Sequence, residues 1–366
     1  MKEKKELNID WEPLSSVPGL TFRHFAGEED YSIRLDIANA CKEVNHQDTV
    51  FTLEDIKNDE LWTKNYDIHQ HLVYVELDGT PVGYFAYSWD IEPDGKAIYY
   101  PFGSLLPDVW GRSIAALMLR YAEEQCRLIA ADKHAGLDKR IRIWKKQKAV
   151  ESVEFFKQHG YGIERNFYSM NRPIDLPLDP CPLPEGIEIR PVEPAHYRAI
   201  WDADNEAFRD HWGFSEPSEE MYEAHLKDRL FQPHLWKIAW EGDQVVAGVH
   251  NMLDTEENES YQRKRGYTED IFTRRPWRGK GIAKALIAES IRRFRDMGME
   301  ETYLGVDAGT NNHTGTPSFQ YSGTCKSHIG PFSNTQIFLQ YISLLYGSYG
   351  FAGKKTFIDF QARNIK

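Results

Sequence analysis

The stretch "RRPWRGKGIAKALI", residues 274–287, sets five basic residues and two glycines between a strand-like run and a helix-like run. A helix opens at such a turn with unpaired backbone N–H groups and the positive end of its dipole, and glycine lets the backbone approach a guest closely, so the turn suits a phosphate. From Gln262 to Arg295 there are eleven basic and three acidic residues, a local +8 in a chain whose 44 Lys+Arg and 56 Asp+Glu give −12. The alternative is a solvated basic helix, which a lone G-x-G does not exclude. A P-loop needs G-x-x-x-x-G-K-[ST], which is absent. A dinucleotide fingerprint needs a third glycine and an acid closing the next strand, whereas Glu300 and Glu301 stand before that strand. One basic patch without interleaved aromatics on an acidic chain matches nucleic acid poorly. Glu269 and Asp270, just ahead of the turn, could serve as a base. Because strand side chains alternate, only one of them can face a substrate, and Glu269 is favoured. A strand-end acid paired with Arg263 or Arg265 is the competing reading.

The elements that must position these groups occur twice. "YTEDIFT" (267–273) has strand composition, and "GIAKALIAESIRRFRDMG" puts Ile282, Ala285, Leu286, Ala288 and Ile291 on one helical face. "GLTFRHFAGEEDYSIRLDIANA" from Gly19 resembles "GIEIRPVEPAHYRAIWDADNEAF" from Gly186, and "VYVELDGTPVGYFAY" matches "KIAWEGDQVVAGVHNML", each a hairpin about a DG or GD turn. "LLPDVWGRSIAALMLRYAEEQC" aligns with "FTRRPWRGKGIAKALIAESIRR" at an offset of 168. "FFKQHGYGIERNFYSM" aligns with "LYGSYGFAGKKTFIDF" at 190, so the second half carries an extra Gly/Ser/Thr/Pro-rich loop near 312–334. Five prolines between Pro173 and Pro184 mark a connector. The expected organisation is a polar tail (1–18), a first domain (19–172), a linker (173–185) and a second domain (186–366). Each domain should be a mixed α/β unit, a mostly antiparallel sheet flanked by helices.

Composition sets outer bounds. The chain has 366 residues, 41% of them hydrophobic, enough for two cores. No apolar run nears the ~18 residues of a membrane span, and the charged start "MKEKKELNIDWEP" lacks a signal-peptide core, so a cytoplasmic protein is expected. Cys41, Cys126, Cys181 and Cys325 lie far apart, and His69 and His71 head a strand, so neither a disulfide frame nor a metal is assigned.

"RGKGIA" (Arg278 to Ala283) resembles the R/Q-x-x-G-x-G/A signature of the GNAT superfamily of N-acetyltransferases, and "LLYGSYGF" resembles that family's closing helix-turn-strand motif. The resemblance runs through both halves, as in tandem members such as mycothiol synthase. It implies acetyl-CoA as co-substrate and a small-molecule amine as acceptor, with no metal and no membrane partner, in a monomer or homodimer. It further implies that Ile271, Phe272 and Thr273 offer backbone groups to the pantetheine arm. Arg278, Gly279, Lys280, Gly281, Ile282 and Ala283 would hold the pyrophosphate, and Tyr346 would protonate the leaving thiolate. The acceptor would sit under the first helices, where Asp204, Glu206, Asp210 and Trp212 could suit a cationic amine.

An amine with a pKa near 10 must lose a proton before it attacks, and the leaving thiolate must gain one. Aligned on the offsets, the first half has Trp110 for Arg278, Ser113 for Gly281, Pro101 for Glu269, Phe102 for Asp270 and Phe156 for Tyr346. Its apolar positions persist, so it reads as a folded but degenerate copy. Two other classes of function stay open at this point: a module that binds acyl-CoA without turnover, and a nucleic-acid binder.

Overall fold

A computed structural model describes residues 9–307 and 352–361. Contacts divide the chain into two compact units. The first is built on the chain up to Glu164, with Ser218–Asp228 and the strand residues from Phe357 added. The second comprises Arg165–Pro217 and the chain from Arg229.

The elements run β1 (Leu20–His24), α1 (Glu29–Ala40), α2 (Leu53–Trp62), α3 (Ile68–His71), β2 (Leu72–Leu77), β3 (Thr80–Ile91), β4 (Ala97–Leu105), α4 (Ile114–Lys133), β5 (Lys139–Lys146), α5 (Val150–Gln158) and β6 (Gly162–Pro173). They continue with β7 (Glu188–Arg190), α6 (Tyr197–Phe208), α7 (Glu219–Lys227), β8 (Lys237–Glu241), β9 (Gln244–Met252), α8 (Thr255–Ser260), β10 (Arg265–Thr273), α9 (Ile282–Asp296), β11 (Glu301–Asp307) and β12 (Ala352–Gln361).

In the first unit the strand order is β1-β2-β3-β4-β5-β12, and β4 with β5 is its parallel pair. In the second the order is β7-β8-β9-β10-β11-β6, and β10 with β11 is parallel. The other pairings recorded in both units are antiparallel. Each unit is thus a mostly antiparallel mixed sheet flanked by helices, as the duplicated pattern predicts.

The duplication is kept at single-residue resolution around the turn. β4 and β10 begin and end 168 residues apart, at 97 and 105 against 265 and 273. So do the short 3-10 turns Pro107–Val109 and Arg275–Trp277, and the first residues of α4 and α9. The last strands behave differently. β6, which follows α5 in sequence, pairs through Phe167–Pro173 with β11 of the second unit, while Phe357–Gln361 of β12 pairs with Arg142–Lys146 of β5.

The core of the second unit forms where α9 lies on the sheet. Ile282, Ala285, Leu286, Ala288 and Ile291, the face expected from the 3.6-residue period, are each 1% exposed or less. Ile282, Leu286 and Ile291 meet Val246 and Val249 of β9, Met170 of β6 and Leu304 of β11. A second cluster joins Ile200, Ala203 and Ala207 of α6 to Trp236, Ile238 and Phe272. The proline-rich connector has no regular structure but is held down. Arg172 donates to the carbonyls of Pro173, Leu176 and Pro177, and Arg295 donates to those of Ile174 and Leu176.

Candidate active site

Two irregularities in β10 shape the site. Against β9 the register runs Tyr267–Met252, Thr268–Asn251, Glu269–His250, then jumps to Phe272–Gly248, one residue too many on β10. The extra residue is absorbed at Asp270, whose φ of +42° lies in the left-handed region, and such a bulge redirects side chains beside it. Against β11 the parallel ladder covers Arg265–Tyr267 and stops, although β10 runs on to Thr273 and β11 to Asp307. Beyond that point the strands are linked by side chains: Thr268 Oγ1 donates to the Tyr303 carbonyl at 3.1 Å, and the Gly305 N–H donates to the Glu269 carboxylate at 3.2 and 3.3 Å.

Glu269 therefore stands in a fork. Its side chain is half-buried overall, but the carboxylate sits in dense surroundings, and burial pushes its pKa up to about 8. The charge of Asp270 adds to the rise, and the Gly305 N–H opposes it. An ion-paired strand-end acid is not what forms here, since Arg263 pairs with Glu257 and Arg265 with Glu301. Asp270 lies 3.5 Å from Nδ1 of His250, and that imidazole is buried and stacked on Trp236 at 4.0 Å. Asp204 of α6 also belongs to this group. Burial, then the charge of Asp270, holds its carboxyl well above the usual range, and its Oδ1 is buried without a hydrogen-bond partner among the described residues. An assembly of this kind can take up a proton and attract a cation.

The remaining acids proposed for the acceptor do other work. Glu206 pairs with Arg274 at 2.7 Å, and Asp210 pairs with Arg275 and, at 3.0 Å, with Arg278. Those arginines, Arg275 first, hold the Asp210 carboxyl below its ordinary value. Trp212 lies under the Arg165 guanidinium at 4.7 Å.

The turn ahead of α9 is shaped by glycine. Gly279 and Gly281 have φ of +78° and +82°, and Gly281 caps the helix N-terminus in the left-handed conformation with no side-chain cap. The first-turn amides, which an α-helix cannot satisfy internally, are left for water or a guest. A Cβ on Gly281 would meet no atom of the described residues within 4 Å, so the space beside that glycine is open among them. Two cations of the turn are exposed, Lys280 and Arg275, and Arg275 is paired with Asp210. Arg278 is only 11% exposed at its side chain and is committed to the protein. Its Nε donates to the Thr273 carbonyl (2.9 Å) and its Nη2 to the Ala207 carbonyl (2.8 Å), while Nη1 meets Asp210. It ties the end of β10 to the end of α6 and anchors the turn. Much of the basic excess is likewise neutralised locally, with Lys264 on Glu300 and Arg292 on Glu289 besides the pairs above.

In the first unit Ser113 occupies the position of Gly281 with φ +63°, so the backbone shape survives in a residue that disfavours it. β4 pairs with β3 without interruption from Ala97 to Leu105, so no bulge corresponds to Asp270. Trp110 packs on Phe155 with ring centroids 5.5 Å apart. Tyr346 and the loop near 312–334 lie outside the described residues.

The residues that sequence reasoning missed are His250, Trp236 and Gly305. The register pairing of Glu269 with His250 would have pointed to the first, but the bulge that sets that register leaves no trace in composition.

With the fold and fork established, the class of protein is defined: two mixed α/β units, each a strand, turn and helix built around a parallel fork. The profile of the acetyltransferase (GNAT) family matches residues 35–161 and again residues 197–314. The chain belongs to that family, carries its unit twice, and is an acyltransferase. It is similar to mycothiol acetyltransferase of Thermobispora bispora, 26% identical over 233 residues that make up 63% of this chain and 72% of the other. Mycothiol acetyltransferase of Pseudarthrobacter chlorophenolicus is 23% identical over 46% of this chain and 52% of its own. Among solved structures, a GCN5-related N-acetyltransferase from Sphaerobacter thermophilus shares the fold with a TM-score of 0.61 at 22% identity, covering 95% of this chain and 96% of that one. A tandem GNAT protein from the clavulanic acid biosynthesis pathway does so with a TM-score of 0.57 at 12% identity, covering 95% and 99%. Among the described residues no helix is long and apolar enough to cross a membrane, and no group of three metal-ligating side chains occurs.

Proposed function

We propose that the second unit transfers an acetyl group from acetyl-CoA directly to the amine of a small molecule, and that the first unit is a degenerate copy. The observation that carries this reading is the fork. A carboxyl group with a pKa near 8 stands where β10 leaves β11, one strand-length from a glycine-capped helix N-terminus. Acetyl-CoA would supply the activated acetyl group. The open space over Gly281 and the first-turn amides of α9 fit a pyrophosphate, with Gly279, Lys280, Ile282 and Ala283 around it and Arg278 holding the turn in place. Ile271, Phe272 and Thr273 follow the bulge, beyond the end of the ladder with β11, on the β10 edge opposite the one paired with β9, an arrangement suited to an extended arm adding to a strand edge.

Glu269 takes the proton from the ammonium form of the acceptor. With a pKa near 8 it is better matched to that task than an ordinary carboxylate. Asp204 and Asp270 favour a cationic acceptor at the same place. Tyr346 is assigned the proton that the leaving thiolate needs.

The test is CoA release measured over a panel of small amines. Turnover with some of them, lost in Glu269→Gln, supports the assignment. Binding of acetyl-CoA with no turnover for any amine would make the protein a non-catalytic acyl-CoA module. Affinity that falls steeply with salt and ignores acetyl-CoA would indicate a nucleic-acid binder.

A further inference from the structure

The first unit keeps a cleft at the corresponding place, with different chemistry in it. A cavity of about 80 Å³ is lined by Phe85, Phe102, Trp110, Leu119 and Phe156 together with Lys145 of β5. A neighbouring cavity of about 60 Å³ shares Trp110 and Lys145 with it and is lined in addition by Asn45, Glu151 and Ser152. Lys145 is the one cation among the described residues lining either space.

Three features make this cleft unlike the phosphate-binding one. Trp110, packed on Phe155, stands where the second unit has the anchoring arginine. The strand that would present an arm is unbroken and carries Pro101 and Phe102 in place of the two carboxylates. The two cavities together approach the ~150 Å³ that accommodates a benzene ring, room for a ring or short chain and not for a pantetheine arm.

Lys145 has no carboxylate partner among the described residues. Its Nζ lies 5.6 Å from the centroid of the Phe156 ring. A half-buried ammonium in such surroundings lacks the counter-charge that buried cations ordinarily have, and burial accordingly holds its pKa below that of a free lysine. Glu151, which also lines the smaller cavity, would repel a second negative charge.

We propose that this cleft binds a small apolar monocarboxylate, an aryl or short-chain carboxylate. Its carboxylate would meet Lys145 Nζ and its apolar body would lie among Phe85, Phe102, Leu119 and Phe156. This site is separate from the acetyl-transfer site proposed above and does not depend on it.

The experiment is ligand-observed NMR and calorimetry on the full chain, with benzoate and hexanoate as probes and benzyl alcohol as a neutral analogue of benzoate. A carboxylate read by Lys145 should bind once per chain and about tenfold more tightly than benzyl alcohol, the usual advantage of a charge-assisted hydrogen bond. Lys145→Met should reduce benzoate to the affinity of benzyl alcohol, and saturating acetyl-CoA should leave benzoate binding unchanged. Equal affinity of benzoate and benzyl alcohol for the unaltered protein would overturn the proposal, a comparison that holds even if Lys145→Met does not fold. So would competition by acetyl-CoA, or absence of binding by both carboxylates up to about 10 mM.

Discussion

Replacing Glu269 with glutamine separates a buried base from a structural acid, because the two roles respond to pH with opposite sign. The folded pKa is about 8 against an ordinary 4.5. The folded chain therefore keeps a proton that the unfolded chain releases above pH 4.5. The penalty for charging the buried carboxyl is absent below pH 4.5, grows as pH rises, and is complete above pH 8. A gap of 3.5 units would correspond to about 5 kcal/mol at 1.36 kcal/mol per unit, which the partial exposure of the side chain reduces to roughly 2–3 kcal/mol. Glutamine can still accept the Gly305 N–H and carries no charge. Glu269→Gln should thus unfold like the unaltered protein near pH 4.5 and become more stable than it by up to about 2–3 kcal/mol at pH 9. Its kcat/KM should fall by roughly 10² to 10⁴ and lose the limb that rises through pH 8. The assay is urea unfolding at a series of pH values, paired with CoA release from any accepted amine. A variant that becomes less stable than the unaltered protein as pH rises would show an ion-paired carboxylate and refute the reasoning, as would turnover within twofold with the limb intact.

The remaining predictions concern the turn, the acid and the core. Arg278→Ala should cost about 2–4 kcal/mol in the unfolding of the second unit, because it removes a mostly buried guanidinium from two carbonyls and Asp210, and should weaken acetyl-CoA binding about ten- to hundredfold by loosening the turn. Chemical denaturation and calorimetry check both, and a variant unchanged in stability would deny the anchoring role. Tyr346→Phe should retain acetyl-CoA affinity and lose roughly 10² to 10⁴ in turnover, while Phe156→Tyr should restore nothing; a Tyr346→Phe enzyme within twofold of the original removes the acid assignment. Ser113→Gly relieves a left-handed residue and should stabilise the first unit by up to about 1 kcal/mol, read as a higher unfolding midpoint, with no acetyl-CoA site created. Leu286→Ala, at a fully buried position on α9, should cost about 2–5 kcal/mol by the same denaturation measurement.

The sequence carried the periodic parts of this protein well. The α9 face, the hairpins and the 168-residue offset are all written in short-range patterns that recur twice, and local pattern is what a single sequence records best. The candidate site was legible where residue type marks it, as at Gly281 in the turn and Glu269 on the strand before it. It was less legible where geometry decides. "TEDIFT" reads as an ordinary alternating strand, and nothing in it announces that Asp270 adopts a positive φ or that the ladder to β11 ends at Tyr267. The basic residues of the turn looked like a set of phosphate ligands because charge counts ignore partners 60 to 70 positions away. Glu206 and Asp210 take up Arg274, Arg275 and Arg278, leaving Lys280 exposed. The pairing of β6 with β11 and of β12 with β5 is a long-range choice between two strands of similar composition, and no local signal distinguishes them.

The most direct test of the central claim is a calorimetric titration of acetyl-CoA into the full chain, its Gly281→Asp variant and its Ser113→Asp variant. Each substitution puts a carboxylate at the left-handed cap of one unit, where it would repel a phosphate. The account predicts one site per chain, abolished by Gly281→Asp and unaffected by Ser113→Asp. Binding that survives Gly281→Asp, or that is lost on Ser113→Asp, would contradict it.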